Sequence, residues 1–171
     1  MHNGIVFLEG PNCSGKTTLA LYMTTKLEGF DYYSQYFSPY SWERAEDGFN
    51  EYIVLANLYQ VRVKLIVDRG MISWFYYNNR SGFDRLNEWN KWFGLLRAWD
   101  FARIICIKPS AAILQERALE KNEFVPEEEL VEYSRLYDLI PEDLKIVQVV
   151  DETNKNEKWM QEICQRIERS I

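Results

Sequence analysis

Residues 10–18 read Gly10-Pro11-Asn12-Cys13-Ser14-Gly15-Lys16-Thr17-Thr18, a G-x-x-x-x-G-K-[ST] phosphate-binding loop. Ahead of it runs the apolar stretch Ile5-Val6-Phe7-Leu8, and behind it the helical pattern Leu19-Ala20-Leu21-Tyr22-Met23. Strand, loop and helix in that order leave few folds open, because such a loop needs a strand to deliver it to a helix N-terminus. Gly10 and Gly15 remove Cβ atoms where the backbone must curl around an anion. The amides from Asn12 to Thr17 are expected to point inward at the β-phosphate, helped by the positive end of the helix. Lys16 is expected to reach the β- and γ-phosphates, and the Thr17 hydroxyl to complete a Mg²⁺ shell. Gly10, Asn12, Cys13, Ser14, Gly15, Lys16, Thr17 and Thr18 are thus the expected ATP contacts.

The chain has 171 residues, enough for one domain that buries about 70% of its unfolded surface. No internal repeat or linker-like stretch divides it, so residues 1–171 are expected to form a single unit. A net charge of −6 gives no electrostatic footprint for tight, non-specific nucleic-acid binding. Three cysteines at unrelated spacings offer neither a metal frame nor a disulfide frame, and Cys106 and Cys164 read as core residues. No leader and no apolar stretch of membrane-spanning length is visible, which points to a cytoplasmic protein without a membrane partner.

Strands and helices alternate along the chain. A helix is expected from residue 16 to the glycine at 29, and a second strand over 30–37. A helical region led by Ser41 follows. The short apolar run Leu65-Ile66-Val67 reads as a buried parallel strand that delivers Asp68-Arg69-Gly70 to the carboxyl edge of a sheet. A helical segment over 71–77, a polar loop over 78–82 and a helix carrying Leu86, Trp89, Trp92, Phe93 and Leu96 come next. Residues 102–107 make the fourth strand, stopped by Pro109, and Ser110 caps a helix to about 121. A loose segment at 122–126, an acid-led helix over 127–139, a fifth strand over 145–150 and a closing amphipathic helix from 158 complete the pattern. The fold class is therefore α/β, a doubly wound five-stranded parallel sheet flanked by helices.

Phosphate loops serve many chemistries, so a second motif must choose among them. Asp68 at the end of a buried strand supplies a carboxylate for Mg²⁺ or its water. Arg69 supplies a fixed cation for a transferring phosphoryl group. A lid must carry positive charge over the γ-phosphate. Arg117, with Lys121 four residues on, supplies it at a small lid over about 117–128. Lys16, Asp68, Arg69 and Arg117 form the expected catalytic set, with Thr17 and Asp68 at the metal. Arg80 is the further cation expected to face the acceptor.

Phe7-Leu8-Glu9-Gly10 leading into the loop resembles the start of thymidylate kinases, within the wider class of P-loop nucleotide and nucleoside kinases. Asp68-Arg69, with Ser73 four residues after Arg69 and Tyr77 four after Ser73, is similar to that family's Asp-Arg-x-x-x-Ser-x-x-x-aromatic signature. The resemblance implies a P-loop kinase fold, an Asp–Arg pair at the phosphates, and a thymine pocket lined by the segment that follows. It covers the first half of the chain well and the second half in layout. Short chains of this appearance are common in bacteriophages, which suggests a viral origin and the host cytoplasm as location. Related kinases are often dimers, so a homodimer is an expected assembly.

Departures fall on the acceptor side. Asn12 stands where the family carries an acidic residue, and Tyr76 where it prefers a small one. The family's Phe-Pro-x-Arg segment has a loose counterpart in Phe37-Ser38-Pro39-Tyr40, with Arg44 further on. Glu9, Phe37, Tyr40, Arg44, Ser73, Tyr77 and Arg80 are the expected acceptor-side residues. The leading expectation is an ATP-dependent phosphotransferase acting on a deoxynucleotide-type acceptor, first a pyrimidine deoxynucleoside monophosphate. The alternative is a hydroxyl acceptor, either a deoxynucleoside or the hydroxymethyl group of 5-hydroxymethyluracil in phage DNA, with Asp68 or Glu9 as base. DNA is a partner only under that alternative. A nucleotide-binding switch without transfer activity is the third reading.

Overall fold

The computed structural model describes residues 4–34, 64–70, 72–73, 76, 90, 93–94, 96–97, 102–154 and 156–170. The helical region expected to follow Ser41 and the loop at 78–82 lie outside them, as do Phe37, Tyr40, Arg44, Tyr77 and Arg80. Five strands form one parallel sheet: β1 (Gly4–Glu9), β2 (Asp31–Ser34), β3 (Lys64–Asp68), β4 (Ala102–Pro109) and β5 (Lys145–Val150). Their order is β2-β3-β1-β4-β5, which puts β1 in the centre. Four helices are described end to end: α1 (Lys16–Lys26), α2 (Ala111–Glu120), α3 (Glu127–Asp138) and α4 (Lys158–Ser170).

β1 is buried at every position, as a central strand covered on both faces must be. Alternation sends Ile5 and Phe7 to one face, where they pack with Val67, Ile72, Phe93, Leu96, Ile104 and Tyr133. Val6 and Leu8 go to the other, against Leu19 and Met23 of α1 and Trp159 and Ile163 of α4. Helices on both faces give the doubly wound arrangement expected. Each buried aliphatic or aromatic side chain is worth about 1.5–3 kcal/mol, so these two layers dominate the stability. Cys106 and Cys164 lie in the two layers as core residues.

Element ends differ in detail from expectation. α1 stops at Lys26, and Gly29, with φ 76°, lies in the turn beyond it. β4 runs through Pro109. Proline is tolerated there because its missing N–H falls at the strand's last residue. Ser110 caps α2 as its sequence indicates, its hydroxyl accepting from the Ile113 amide at 3.3 Å. Within the segment expected to be helical, Ile72, Ser73 and Tyr76 are helical, as are Phe93 and Leu96 of the tryptophan-bearing stripe.

Candidate active site

The register sets the floor of the site. Leu8 of β1 lies beside Asp68 of β3, and Glu9 beside Cys106 of β4. The phosphate loop therefore leaves the sheet next to the Asp68-Arg69 turn, at the carboxyl edge where open α/β sheets bind ligands. Gly10 is required sterically: a Cβ would fall 2.7 Å from Ser14 Oγ and 3.1 Å from the Ile107 carbonyl. Gly15, with φ 96°, turns the chain into α1, and Cys13 holds a left-handed φ of 59°. These two positive φ values curl the loop.

Lys16 is buried, and its ammonium donates to the Gly10 carbonyl at 2.8 Å, the Pro11 carbonyl at 2.7 Å and Ser14 Oγ at 3.4 Å. Burial first, then the nearby Arg69 charge, pulls its pKa down to about 7, while Asp68, Glu9 and Glu129 oppose the shift. Thr17 Oγ1 donates to Asp68 Oδ2 at 2.6 Å, and the Tyr32 hydroxyl donates to the same oxygen at 3.2 Å. The other oxygen, Asp68 Oδ1, is buried with no hydrogen-bond partner. Thr18 is exposed in the first turn of α1.

Arg69 adopts a left-handed φ of 75° and donates from Nη2 to Asn12 Oδ1 at 2.7 Å. Asn12 thus joins Thr17 in tying the phosphate loop to the Asp-Arg turn. Its backbone N–H donates to Glu129 Oε1 at 2.6 Å. Arg117, half-buried on α2, donates from Nη1 to the Ser14 carbonyl at 2.8 Å, and burial lowers its pKa. Lys121 is exposed at the end of α2. The Cys13 thiol donates to Glu123 Oε2 at 3.2 Å and packs with Leu114 and Ala118, and burial raises its pKa.

Glu9 and Ser73, both expected on the acceptor side, are buried and bonded to each other. Glu9 Oε1 accepts from the Gly70 and Ile72 amides at 2.8 and 3.0 Å. Its Oε2 accepts from the Ser73 amide at 3.0 Å and the Ser73 hydroxyl at 2.6 Å. Four donors fill the four lone-pair positions of a carboxylate. Glu9 therefore caps the segment that follows the Asp-Arg turn. Burial outweighs those hydrogen bonds and lifts its pKa to about 7. Ser73 is fully buried and also accepts from the Tyr133 hydroxyl at 3.0 Å, so Tyr133, Ser73 and Glu9 form one chain. The Tyr76 ring lies 5.0 Å from that of Tyr133.

Sequence reasoning passed over Tyr133, Glu123 and Glu129, and Tyr32 entered it only within an aromatic cluster over residues 30–42 expected to border the cleft. Glu129 is the third of three consecutive acids in the first turn of α3, a position that reads as helix-dipole charge. Glu127 and Glu128 are exposed as that reading demands, and only Glu129 turns inward. Tyr32 sits in an aromatic strand where alternation alone does not say which hydroxyl meets Asp68.

No protein-family model matches the chain, and no curated protein matches its sequence. Solved structures do match in fold. One is deoxyadenosine kinase from M. mycoides with bound dATP, at 15% identity and a TM-score of 0.52, covering 96% of this chain and 99% of that one. Another is deoxyadenosine kinase from M. mycoides with bound dCTP, at 16% identity and a TM-score of 0.54, with the same coverage. The five-stranded parallel sheet flanked by helices is the P-loop kinase fold of these neighbours. Among the described residues no helix is long and apolar enough to cross a membrane.

Proposed function

We propose that this chain is an ATP-dependent kinase that transfers a phosphoryl group to a deoxynucleoside-type acceptor. The observation that carries the reading is the meeting of Lys16, Thr17, Asp68 and Arg69 at one sheet edge, with Asp68 Oδ1 buried and unbonded. Thr17 Oγ1 and Asp68 are hard oxygen donors that suit Mg²⁺, which binds through one or two protein oxygens together with substrate phosphates. Mg²⁺ bound there would offset charge on the β- and γ-phosphate oxygens. Lys16 would leave the loop carbonyls for those oxygens, and Arg69 and Arg117 would supply fixed positive charge as the γ-phosphoryl group moves. Their mutual geometry supports transfer over a nucleotide-binding switch, as does the fold likeness to two nucleoside kinase structures.

For the acceptor we favour a hydroxyl over a monophosphate. Two fold neighbours are structures of a deoxyadenosine kinase, which supports a hydroxyl acceptor for this chain. Glu9 is buried and engaged with the Gly70, Ile72 and Ser73 amides and the Ser73 hydroxyl, away from an incoming acceptor, so Asp68 is the better placed base of the two named from sequence. The monophosphate reading keeps Arg69 in its favour, since an anionic acceptor needs such a cation.

One assay separates these readings. Labelled ATP is offered with deoxynucleosides, deoxynucleoside monophosphates, plain DNA and hydroxymethyluracil-containing DNA side by side. Label in a deoxynucleoside is the expected result. Label in a monophosphate or in modified DNA moves the acceptor accordingly. Bound ATP with no label transferred to any acceptor overturns the kinase reading.

A further inference from the structure

Three side chains that follow β4 meet three consecutive residues of the phosphate loop. Glu129 takes the Asn12 amide, Glu123 the Cys13 thiol, and Arg117 the Ser14 carbonyl. Glu129 differs from the other two in kind, because it puts an anion on an amide of an anion-binding loop. A glutamate in a helix's first turn gains from the dipole without leaving solvent. Glu129 is instead 3% exposed, a costly place for a carboxylate unless a specific donor holds it. That donor is the Asn12 N–H at 2.6 Å, a short charge-assisted hydrogen bond.

The loop itself indicates what else uses this amide. Sequence alone expects every amide from Asn12 to Thr17 at the β-phosphate, but the amides of Gly15 to Thr17 at the helix end suffice for that phosphate, which leaves the Asn12 amide for the phosphate beyond. Lys16, whose reach in such loops is to the β- and γ-phosphates, feels the Glu129 charge. The carboxylate and the outer phosphate are therefore claimants to one place.

We propose that Glu129 sets the donor's phosphate specificity by standing in for the terminal phosphate on the Asn12 amide. A nucleoside diphosphate binds with Glu129 in place, whereas a triphosphate binds only after its γ-phosphate displaces that carboxylate. The proposal rests on the phosphate-loop reading above and adds to it a residue of α3. It also couples donor binding to the lid, because moving Glu129 off the loop moves the first turn of α3. Once the γ-phosphoryl group has left, Glu129 regains the amide and the diphosphate product holds one partner fewer.

The test compares ADP with a non-hydrolysable ATP analogue, each with excess Mg²⁺, by calorimetric titration of wild type and Glu129→Gln. Glutamine keeps the side chain's shape and an acceptor oxygen while removing the charge. The variant is expected to bind the triphosphate at least about tenfold more tightly, the effect of relieving competition from one charge-assisted hydrogen bond. ADP affinity should stay within about twofold. Equal tightening for both ligands, or none for the triphosphate, overturns the proposal. If the variant melts early, Glu129→Asp, which withdraws the charge by one methylene, should show the same selective gain in smaller measure. Binding of neither nucleotide by wild type is a different failure, since it removes the phosphate-loop reading itself.

Discussion

Thr17 Oγ1 and Asp68 Oδ2 lie 2.6 Å apart, and this hydrogen bond joins the first turn of α1 to the last residue of β3. It holds the two expected metal-side residues against each other while leaving Asp68 Oδ1 unbonded. Tyr32 steadies the same carboxylate from β2, so the group is fixed by three elements of the sheet edge.

Thr17→Ala should therefore separate metal from nucleotide. Losing the hydroxyl removes one proposed metal ligand and the bond to Asp68, but no amide of the loop. Nucleotide affinity is expected to fall about tenfold with Mg²⁺ and to stay nearly constant in chelator, since one lost ligand contact is worth roughly 1–2 kcal/mol. Titration under the two conditions checks this, and equal losses in both would contradict it.

Lys16→Met should divide stability from activity. The ammonium is buried and its pKa is pulled down to about 7, so an apolar side chain of similar volume relieves a desolvation cost. Turnover should drop by about 10²–10³ or more, the usual effect of removing a preorganised charge at a reacting phosphoryl group. Thermal melting should show a midpoint equal to or above that of wild type. A marked fall in melting temperature would mean that the bonds to Gly10 and Pro11 outweigh the burial of charge.

Glu9 gives the fold a pH dependence of definite sign. Its folded pKa of about 7 lies above the ordinary 4.5, so the folded state holds a proton that the unfolded chain has released. Stability from this group is full below about pH 4.5 and is lost as pH rises through 7, on the order of 3 kcal/mol in all. Urea denaturation between pH 5 and 8 should show that decline in wild type and a flatter profile in Glu9→Gln. A wild-type stability rising across this range would refute the assignment.

Gly70→Ala tests how tightly the capped segment packs. An added Cβ would lie 2.8 Å from the Phe7 ring and 2.9 Å from Glu9 Oε1, so either the core or the cap must give way. A cost of about 1–3 kcal/mol is expected, as for overpacking elsewhere. A denaturation midpoint unchanged from wild type would show that the neighbours shift freely.

The fold was legible because its signals are local. Continuous apolar runs mark β3 and β4, Ser110 marks the start of α2, and glycine spacing marks the loop. The placement of Lys16 and Thr17 followed from the same local grammar, since both sit on the helix that the motif itself begins. What stayed hidden depends on direction across long sequence separations. Nothing in Phe7-Leu8-Glu9-Gly10 says that Glu9 turns toward residues 70–73 and fills all its lone pairs there. Ser73 reads equally well as a pocket residue or as a relay between Tyr133 and Glu9, and burial alone decides. In the acidic run before Leu130, identical side chains meet opposite fates because only one faces the loop.

Among the described residues, left-handed φ at a non-glycine occurs at Cys13, Arg69 and Asn122, in the phosphate loop, the Asp-Arg turn and the turn between α2 and α3. Each such residue carries roughly 1–3 kcal/mol of strain that glycine would release. A library ranked by thermal survival alone would then drift toward glycine at these positions. At Arg69 it would discard the cation along with the strain. Under the proposed function, selection for robustness and selection for turnover pull in opposite directions at Arg69, and a variant's melting temperature is a poor guide there to activity.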